Sequence, residues 1–475
     1  MKNTIVTFID SLISFFEKDK TKKLIVIGLL VIATLLRFWK IEYIPMADDA
    51  DELAYVFAGQ SLIKYGEPIS WSSFTYPENE WQTMEFDSGT TNKSFKITFI
   101  RPWFDHPMLL PMIMGPLSIA AGYEFPSVPP ALLFRLPMLI MAIVTLWLVY
   151  QLAKHFFGYW PAVFSLAIAT GSPALIFIQR MVVGENVVIL CLLAALYLFL
   201  VKRKLFWSAV IAVVAVQAKL VGVIIVPIIA LAMVLENKWK QAIVFGLVTT
   251  VVALGIFMAT GYGLAGSNFL QAQRNQSYRL LGWSNPASIL SDSGFQNYNM
   301  DDFSYYVLLI LGITGLMFAK KTDATLLQGA VLMLLGLIWV TSAEKDFLGW
   351  YKIPLFIVFA ISSAGWIAEK KLLLPIMLLG VSIVSNFGLV RYPTNPLPSS
   401  EIQRLGVFIL LVVLLAILVW VKKTKYQAVI LSTLLVLYIV QAGFVTHKYF
   451  EGRCTDVSEC TVPTVTFSSI LKQIL

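Results

Sequence analysis

The sequence contains 475 residues, of which 58% are hydrophobic and 13% are charged, and its mean hydropathy is +0.77. This composition excludes a soluble globular protein and predicts an all-α integral membrane protein that crosses the bilayer many times. A net charge of +8 would suggest a nucleic-acid partner in a soluble chain. Here the basic residues lie in short clusters between apolar runs, as topology signals do, so nucleic acid is not predicted.

The apolar runs predict about 13 transmembrane spans, several of them nearer ~15 than the usual ~20 residues. The expected spans are 24–40, 131–150, 159–178, 184–201, 205–218, 220–235, 241–260, 304–319, 325–342, 350–368, 372–389, 405–421 and 426–445. No small-residue cleavage site follows the first run, so we expect it to remain in the protein. The proline-containing run 107–122 is expected to be re-entrant or incomplete, because a full crossing there would invert every later loop.

Basic loops predict the orientation, because loops rich in lysine and arginine stay cytoplasmic. The basic clusters between later spans are 202–204, 238–240, 320–321, 370–371 and 422–425. They place the N-terminal residues 1–23 in the cytoplasm and the tail 446–475 outside. Cys454 and Cys460 lie in that tail, where oxidation is permitted, and predict a small disulfide. Cys191 lies in an apolar run and is expected to be inert packing.

Four carboxylates, Asp48, Asp49, Asp51 and Glu52, follow the first apolar run at the predicted external boundary. Acids this close repel one another unless something cationic uses them. The following residues predict a helix that ends at 66–68, so the acids could instead be ordinary caps of its first turn. Their oxygen atoms could also hold a divalent cation. The cluster is a candidate site with these alternatives open.

Cationic groups are predicted on the same side as the acids. Arg101, Asp105 and His106 precede the run 107–122. The arginine and the histidine suit a phosphate group, although an aromatic interface belt is the alternative. Arg180 and Glu185 flank an external turn and fit a structural ion pair as well as they fit a site.

Two further cationic positions lie later in the chain. In one long helix over 205–235, Lys219 would be buried among lipids, so we expect a hairpin with Lys219 at the external surface, where its ammonium needs an anion. Tyr351 and Lys352 form another basic edge. Snorkelling to the interface is the alternative for both lysines.

These motifs resemble the polyprenyl-phosphate-sugar-dependent glycosyltransferases of the GT-C fold, in particular the protein O-mannosyltransferase and lipid A aminoarabinose transferase branch. The similar stretches, in order between residues 24 and 368, are Asp51-Glu52-Leu53-Ala54-Tyr55 (Asp-Glu-x-x-Tyr), Asp105-His106-Pro107 (the second loop motif), Phe134-Arg135-Leu136-Pro137 (Arg-Leu-Pro), Arg180 to Glu185 (an Arg-plus-acid pair), Ala218-Lys219 (Thr-Lys-Gly) and Tyr351-Lys352-Ile353-Pro354 (Tyr-x-x-Pro). Pro107-Met108 departs from the Pro-Pro of one branch.

The resemblance implies a GT-C-like transmembrane catalytic module over 24–368, with a helical first external loop at 41–106 and additional helices over 369–445. It implies inverting transfer of a sugar from a polyprenyl-phosphate donor to a protein, lipid or glycan acceptor outside the cell membrane. No cofactor is implied, although Asp48, Asp49 and Asp51 could hold a divalent cation. A transporter or lipid flippase that uses the acids as an ion site is the alternative.

The resemblance also implies roles for single residues. Asp51 is the expected general base, with Glu52 beside it. The side chains expected to contact the donor phosphate are Lys219, His106, Arg101, Arg180, Tyr351 and Lys352. The side chains expected to support them are Asp48, Asp49, Tyr55, Asp105, Arg135 and Glu185.

Overall fold

The protein is a bundle of helices with one small β-sheet in the described part of the chain. The computed structural model describes residues 18–43, 50–72, 81–87, 94–277, 303–341, 349–388 and 424–454, together with positions 287, 289, 290 and 409. The helices are α1 (Asp19–Phe38), α2 (Ala50–Tyr65), α3 (Leu109–Ala120), α4 (Ala131–Phe157), α5 (Tyr159–Thr170), α6 (Pro173–Ile178), α7 (Gly184–Leu196), α8 (Leu205–Ala218), α9 (Ile225–Leu235), α10 (Trp239–Ala265), α11 (Ser267–Ser277), α12 (Ser304–Gly315), α13 (Lys321–Thr341), α14 (Ile353–Ser362), α15 (Ala364–Ala368), α16 (Leu373–Gly388) and α17 (Thr424–Cys454). Short turns of other helix types adjoin them at Tyr197–Val201, Leu220–Ile224, Leu316–Phe318 and Gly349–Lys352.

Helix length and composition identify an integral membrane protein, as predicted. Among the described residues, six apolar helices are long enough to cross a bilayer: Ala131–Phe157, Gly184–Val201, Trp239–Ala265, Thr322–Val340, Gly349–Ala368 and Tyr426–His447. Other apolar helices are shorter, with 10–17 residues. The expected total of 13 spans stays a prediction, and apart from position 409 the span 405–421 lies outside the described residues.

The loop after the first helix contains a sheet in addition to the predicted helix. Strands β1 (Ser70–Trp71), β2 (Trp81–Asp87) and β3 (Ser94–Ile100) are antiparallel, with β3 in the centre. Ile100 lies opposite both Ser70 and Trp81. The sequence analysis predicted a helix in this loop but no sheet. Alternating apolar residues in β3 carried the missed signal for a strand, at Phe95, Ile97 and Phe99.

Helices α2 and α3 touch backbone to backbone. A Cβ atom added to Gly59 would lie 2.2 Å from the carbonyl oxygen of Pro111, and one added to Gly115 would lie 2.3 Å from the carbonyl oxygen of Gly59. Only glycine leaves room for this approach. Helix α3 has 12 residues, about 18 Å of rise, which is short of the ~30 Å hydrocarbon layer. The incomplete crossing expected at 107–122 stays a prediction, because other expected spans, such as Tyr159–Thr170, form helices of the same length.

Polar and apolar contacts then fix α2 to its surroundings. The side-chain nitrogen of Gln60 donates to Ser118 Oγ at 2.7 Å, to the Ser127 carbonyl at 2.9 Å and to the Tyr123 carbonyl at 3.1 Å. A separate small core joins α2 to the sheet and to the loop after α3 through Phe57, Ile69, Phe99 and Phe125. The helix that begins next to Asp51 is thus held along its length.

The chain breaks at Lys219, where a hairpin was expected. Helix α8 ends at Ala218, Lys219 is extended (φ −157°, ψ 136°), and a short 3-10 turn follows. The N–H of Gly222 donates to the Lys219 carbonyl at 2.8 Å. The ammonium group is thus carried by a bend between two helices and lies outside any helix interior.

Candidate functional site

A buried ion pair joins the acidic segment to the start of α4. Arg135 donates to Glu52 through Nε (3.1 Å to Oε1) and Nη2 (2.5 Å to Oε2), and both side chains are fully buried. Arg135 Nη1 also donates to the Ile41 carbonyl at 2.7 Å. Because removing one partner of such a pair leaves a buried charge uncompensated, the pair strongly constrains α2.

Glu52 also connects this pair to the loop 179–183, which lies between α6 and α7. The N–H of Val182 donates to Glu52 Oε1 at 2.9 Å. In the same loop, Arg180 is buried and its Nη2 donates to the Leu36 carbonyl at 2.5 Å. One carboxylate therefore fixes the position of α2 relative to a segment that carries another predicted cation.

Lys219 lies in a second buried ion pair, at the N-terminus of α7. Its Nζ donates to Glu185 Oε1 at 2.6 Å and lies 4.8 Å from the centre of the Tyr351 ring. The Lys219 and Glu185 side chains are 10% and 3% exposed. The first turn of a helix stabilises a carboxylate through its free N–H groups. Three predicted site residues, from three separate parts of the sequence, thus come together.

The lysine reaches this position past Gly184. A Cβ added to Gly184 would lie 2.9 Å from Cδ and 3.0 Å from Cβ of Lys219. A larger residue would therefore push the lysine stem out of its present path. Gly184 leaves room for the stem of Lys219, and Glu185 attracts its ammonium group, so both residues position Lys219.

Aromatic rings connect α2 to the loop 101–108. Tyr55 stacks on His106 with ring centres 5.2 Å apart, and Trp103 meets both rings edge-on. Asp105 Oδ2 accepts a hydrogen bond of 2.5 Å from the Ser72 hydroxyl. His106 and Asp105 therefore lie beside the helix that begins with the acids, as their assignment to one site requires.

Two predicted phosphate contacts differ from each other in location. Lys352 is buried in the turn after Tyr351 and lies 5.5 Å from the centre of the Tyr305 ring. The Arg101 side chain is 63% exposed and pairs with Glu67, with Nη2 2.8 Å from Oε2. The structure does not bring Arg101 to the buried cations, so we leave it out of the proposed donor site.

The acids themselves are only partly described. Asp51 lies in the first turn of α2, but its side chain, like Asp48 and Asp49 as a whole, lies outside the described residues. The described residues contain no group of three metal-ligating side chains. Because the side chains of Asp48, Asp49 and Asp51 lie outside the described residues, a cation bound by them stays a prediction. The same holds for the disulfide, because Cys460 lies outside the described residues.

Sequence reasoning missed Arg37 and its partner Gln179. Arg37 is fully buried at the end of α1, and its Nε donates to Gln179 Oε1 at 2.8 Å while Nη2 donates to the Ala169 carbonyl at 3.1 Å. An arginine near the end of the first apolar run was the available signal. Its partners lie far away in the chain, so only the fold could reveal them.

Buried cations outnumber buried carboxylates in the described part of the chain. The cations are Arg37, Arg135, Arg180, Lys219 and Lys352, and the carboxylates are Glu52 and Glu185. Buried charge in a membrane protein is costly and often marks a functional site. A surface cavity of about 370 Å³ lies elsewhere, at the far end of α15, and none of the predicted site residues lines it.

Comparison with known proteins places the fold. The family described as dolichyl-phosphate-mannose-protein mannosyltransferase matches residues 105–262, about a third of the chain. The crystal structure of ArnT from Cupriavidus metallidurans bound to undecaprenyl phosphate is 12% identical, with a TM-score of 0.52 over 91% of this chain and 77% of that chain. The chain has the GT-C fold. The predicted resemblance is confirmed at this level.

Two further matches and one negative result complete the comparison. The apo state of the same ArnT is 13% identical, with a TM-score of 0.50 over 90% of this chain and 76% of that chain. The cryo-EM structure of the arabinosyltransferase EmbB from Mycobacterium smegmatis is 13% identical, with a TM-score of 0.49 over 97% of this chain and 43% of that chain. No curated protein matches the sequence.

Proposed function

We propose that the protein is a membrane glycosyltransferase. It transfers a sugar, with inversion, from a polyprenyl-phosphate donor to an acceptor on the external side of the membrane. The observation that carries the proposal is the Glu52 carboxylate, which binds Arg135 and the Val182 N–H together. This contact sets the helix of Asp51 against the loop that leads from Arg180 to Glu185, and so supports a single site that combines a base with phosphate-binding cations.

The two adjacent acids have different roles in this proposal. Both oxygens of Glu52 already accept hydrogen bonds from Arg135 or Val182, so Glu52 positions the helix and does not act as a base. Asp51 is the general base. It takes the proton from an acceptor hydroxyl while that oxygen forms a bond to the anomeric carbon. Of the two residues expected to be catalytic, Asp51 and Glu52, only Asp51 keeps that role in the proposal.

The buried cations have a role in this proposal, which is to stabilise the leaving polyprenyl phosphate. As the bond between the anomeric carbon and the phosphate oxygen breaks, negative charge develops on the polyprenyl phosphate. In this proposal Lys219 and Arg180, together with His106, Tyr351 and Lys352, stabilise that charge without a metal having to take part. The undecaprenyl phosphate bound to ArnT, which has a similar fold, supports a lipid-linked phosphate as the donor class.

The first test concerns the base. Asp51→Asn should reduce transfer from a radiolabelled polyprenyl-phosphate sugar in detergent by about 100-fold or more, because general-base catalysis contributes typically ~10²–10⁴-fold. Glu124→Gln is the matched control, since Glu124 is exposed and pairs with Lys64 at 2.9 Å. Full activity of Asp51→Asn would remove the base from the proposal. Substrate transport in proteoliposomes without any glycosidic product would favour a transporter.

The second test concerns the donor contact. Lys219→Ala should weaken use of the lipid donor by more than about tenfold, or about 1.4 kcal/mol. Lys204→Ala, at an exposed loop lysine, is the control. An unchanged KM for the donor with an unchanged kcat would show that Lys219 does not contact the phosphate.

A further inference from the structure

We infer that Glu185 is a positioning residue that competes with the donor phosphate for Lys219, and so allows the polyprenyl phosphate product to leave. This inference rests on the proposed function. It assigns to Glu185 a regulatory effect on affinity, beyond the stabilisation that a buried ion pair provides by itself.

The geometry gives Glu185 one cationic partner and one oxygen that the pair does not use. Oε1 accepts from Lys219 Nζ at 2.6 Å, and the residue lies in the first turn of α7. Among the described residues, Oε2 is buried and has no hydrogen-bond partner. A buried carboxylate oxygen of this kind is costly to leave unpaired, so Glu185 is less stabilised here than a carboxylate with both oxygens hydrogen-bonded.

The Lys219–Glu185 pair has an electrostatic role when no donor is bound. Buried cations already exceed buried carboxylates among the described residues, and Glu185 is one of only two such acids there. In a poorly hydrated site, a carboxylate beside an ammonium weakens the net attraction of that site for a phosphate. Glu185 neutralises Lys219 while the site is empty and repels the phosphate once it is bound. Both effects weaken the net affinity for phosphate.

An enzyme gains rate only from interactions that are stronger in the transition state than in the bound states. Tight binding of the product would therefore slow turnover. Charge develops on the leaving phosphate during the reaction and stays there in the product. A fixed acid beside the binding lysine therefore limits product affinity. Glu185→Gln keeps the size of the side chain and its carbonyl acceptor for Lys219, but removes the negative charge.

The experiment measures equilibrium binding of undecaprenyl phosphate to the full-length protein in detergent, together with kcat and KM for donor turnover. Glu185→Gln should bind undecaprenyl phosphate about tenfold more tightly than the wild-type protein, with a lower KM and a lower kcat. Glu185→Asp, which retains the charge, should not show this gain of affinity. Glu124→Gln controls for the loss of an acid, because Glu124 is exposed.

A gain of affinity distinguishes this role from a purely structural one, because a damaged site would bind more weakly. Equal or weaker binding by Glu185→Gln, with the fold intact by thermal unfolding, would overturn the inference and leave the proposed function in place. If the wild-type protein neither binds undecaprenyl phosphate nor transfers sugar from a polyprenyl-phosphate donor, the proposed function fails, and the inference fails with it.

Discussion

At the residue scale, Glu52 and Arg135 are both fully buried, and each satisfies the other's charge. Breaking a buried pair by removing one partner costs typically ~3–5 kcal/mol. Arg135→Ala or Glu52→Ala alone should therefore lower the midpoint of thermal unfolding strongly. Glu124→Gln, in an exposed pair, should change it little.

A double variant separates charge from packing at this pair. Replacing a buried ion pair by apolar residues of similar volume is often neutral or stabilising. Glu52→Leu with Arg135→Met should regain much of the stability that either single replacement by alanine loses. Transfer activity should remain low, because the Val182 N–H contact that positions α2 is also removed. A double variant as unstable as the singles would show that the ionic contact itself is essential to the fold.

Gly184 permits a test of how Lys219 is positioned. In Gly184→Ala the new methyl group would lie about 3 Å from the Lys219 stem, which is closer than ordinary van der Waals contact, so the ammonium should shift from Glu185 and Tyr351. Alanine favours helix over glycine by about 1 kcal/mol, so the helix itself should not suffer.

We expect Gly184→Ala to raise KM for the lipid donor severalfold with little loss of thermal stability. Gly246→Ala in α10 is the matched control, because no atom lies within 4 Å of its added Cβ. Equal donor kinetics for both variants would contradict the role of Gly184.

The sequence indicated candidate site residues but not their pairings. Residue type and position in a loop indicated Lys219 and Glu185, because charged groups beside apolar runs are unusual. Their contact with each other, and that of Arg135 with Glu52, depends on how helices pack. Arg37 was missed for the same reason, since Gln179 and the Ala169 carbonyl become its neighbours only in the fold.

At the element scale, the contact between α2 and α3 holds the acidic end of α2 in place. Gly59→Ala would place a methyl group 2.2 Å from the Pro111 carbonyl oxygen, so the two helices must separate. Transfer activity should fall by about tenfold or more, since small displacements of catalytic groups are costly in rate. Gly28→Ala in α1, where the added Cβ has nothing within 4 Å, should retain activity.

The sequence predicted the long apolar helices but not the small sheet, for a physical reason. Long apolar runs such as 131–150 and 241–260 became helices Ala131–Phe157 and Trp239–Ala265, because a bilayer requires every backbone group to be satisfied within the segment. The sheet in the loop between α2 and α3 has no such requirement. Strand β1 pairs with β3 across residues 72–93, which include β2, and the polar and aromatic residues of that stretch obscured the strand pattern.

At the scale of the whole molecule, the predicted orientation follows from charge alone. Loops with lysine clusters, such as 202–204 and 370–371, are expected in the cytoplasm. Lys64, in the last turn of α2, pairs with Glu124 at 2.9 Å, so Glu124 reports the side on which the acidic loop lies. Glu124 and Lys204 are both exposed and should lie on opposite sides of the membrane.

Cysteine labelling tests this orientation. In a background with Cys454→Ser and Cys460→Ser, the remaining native thiol, Cys191, is buried and should not react. Glu124→Cys should react with a membrane-impermeant maleimide on intact cells, whereas Lys204→Cys should react only after permeabilisation. The reverse pattern would place Asp51 on the cytoplasmic side. It would require a donor presented from that side and would overturn the external transfer proposed for this protein.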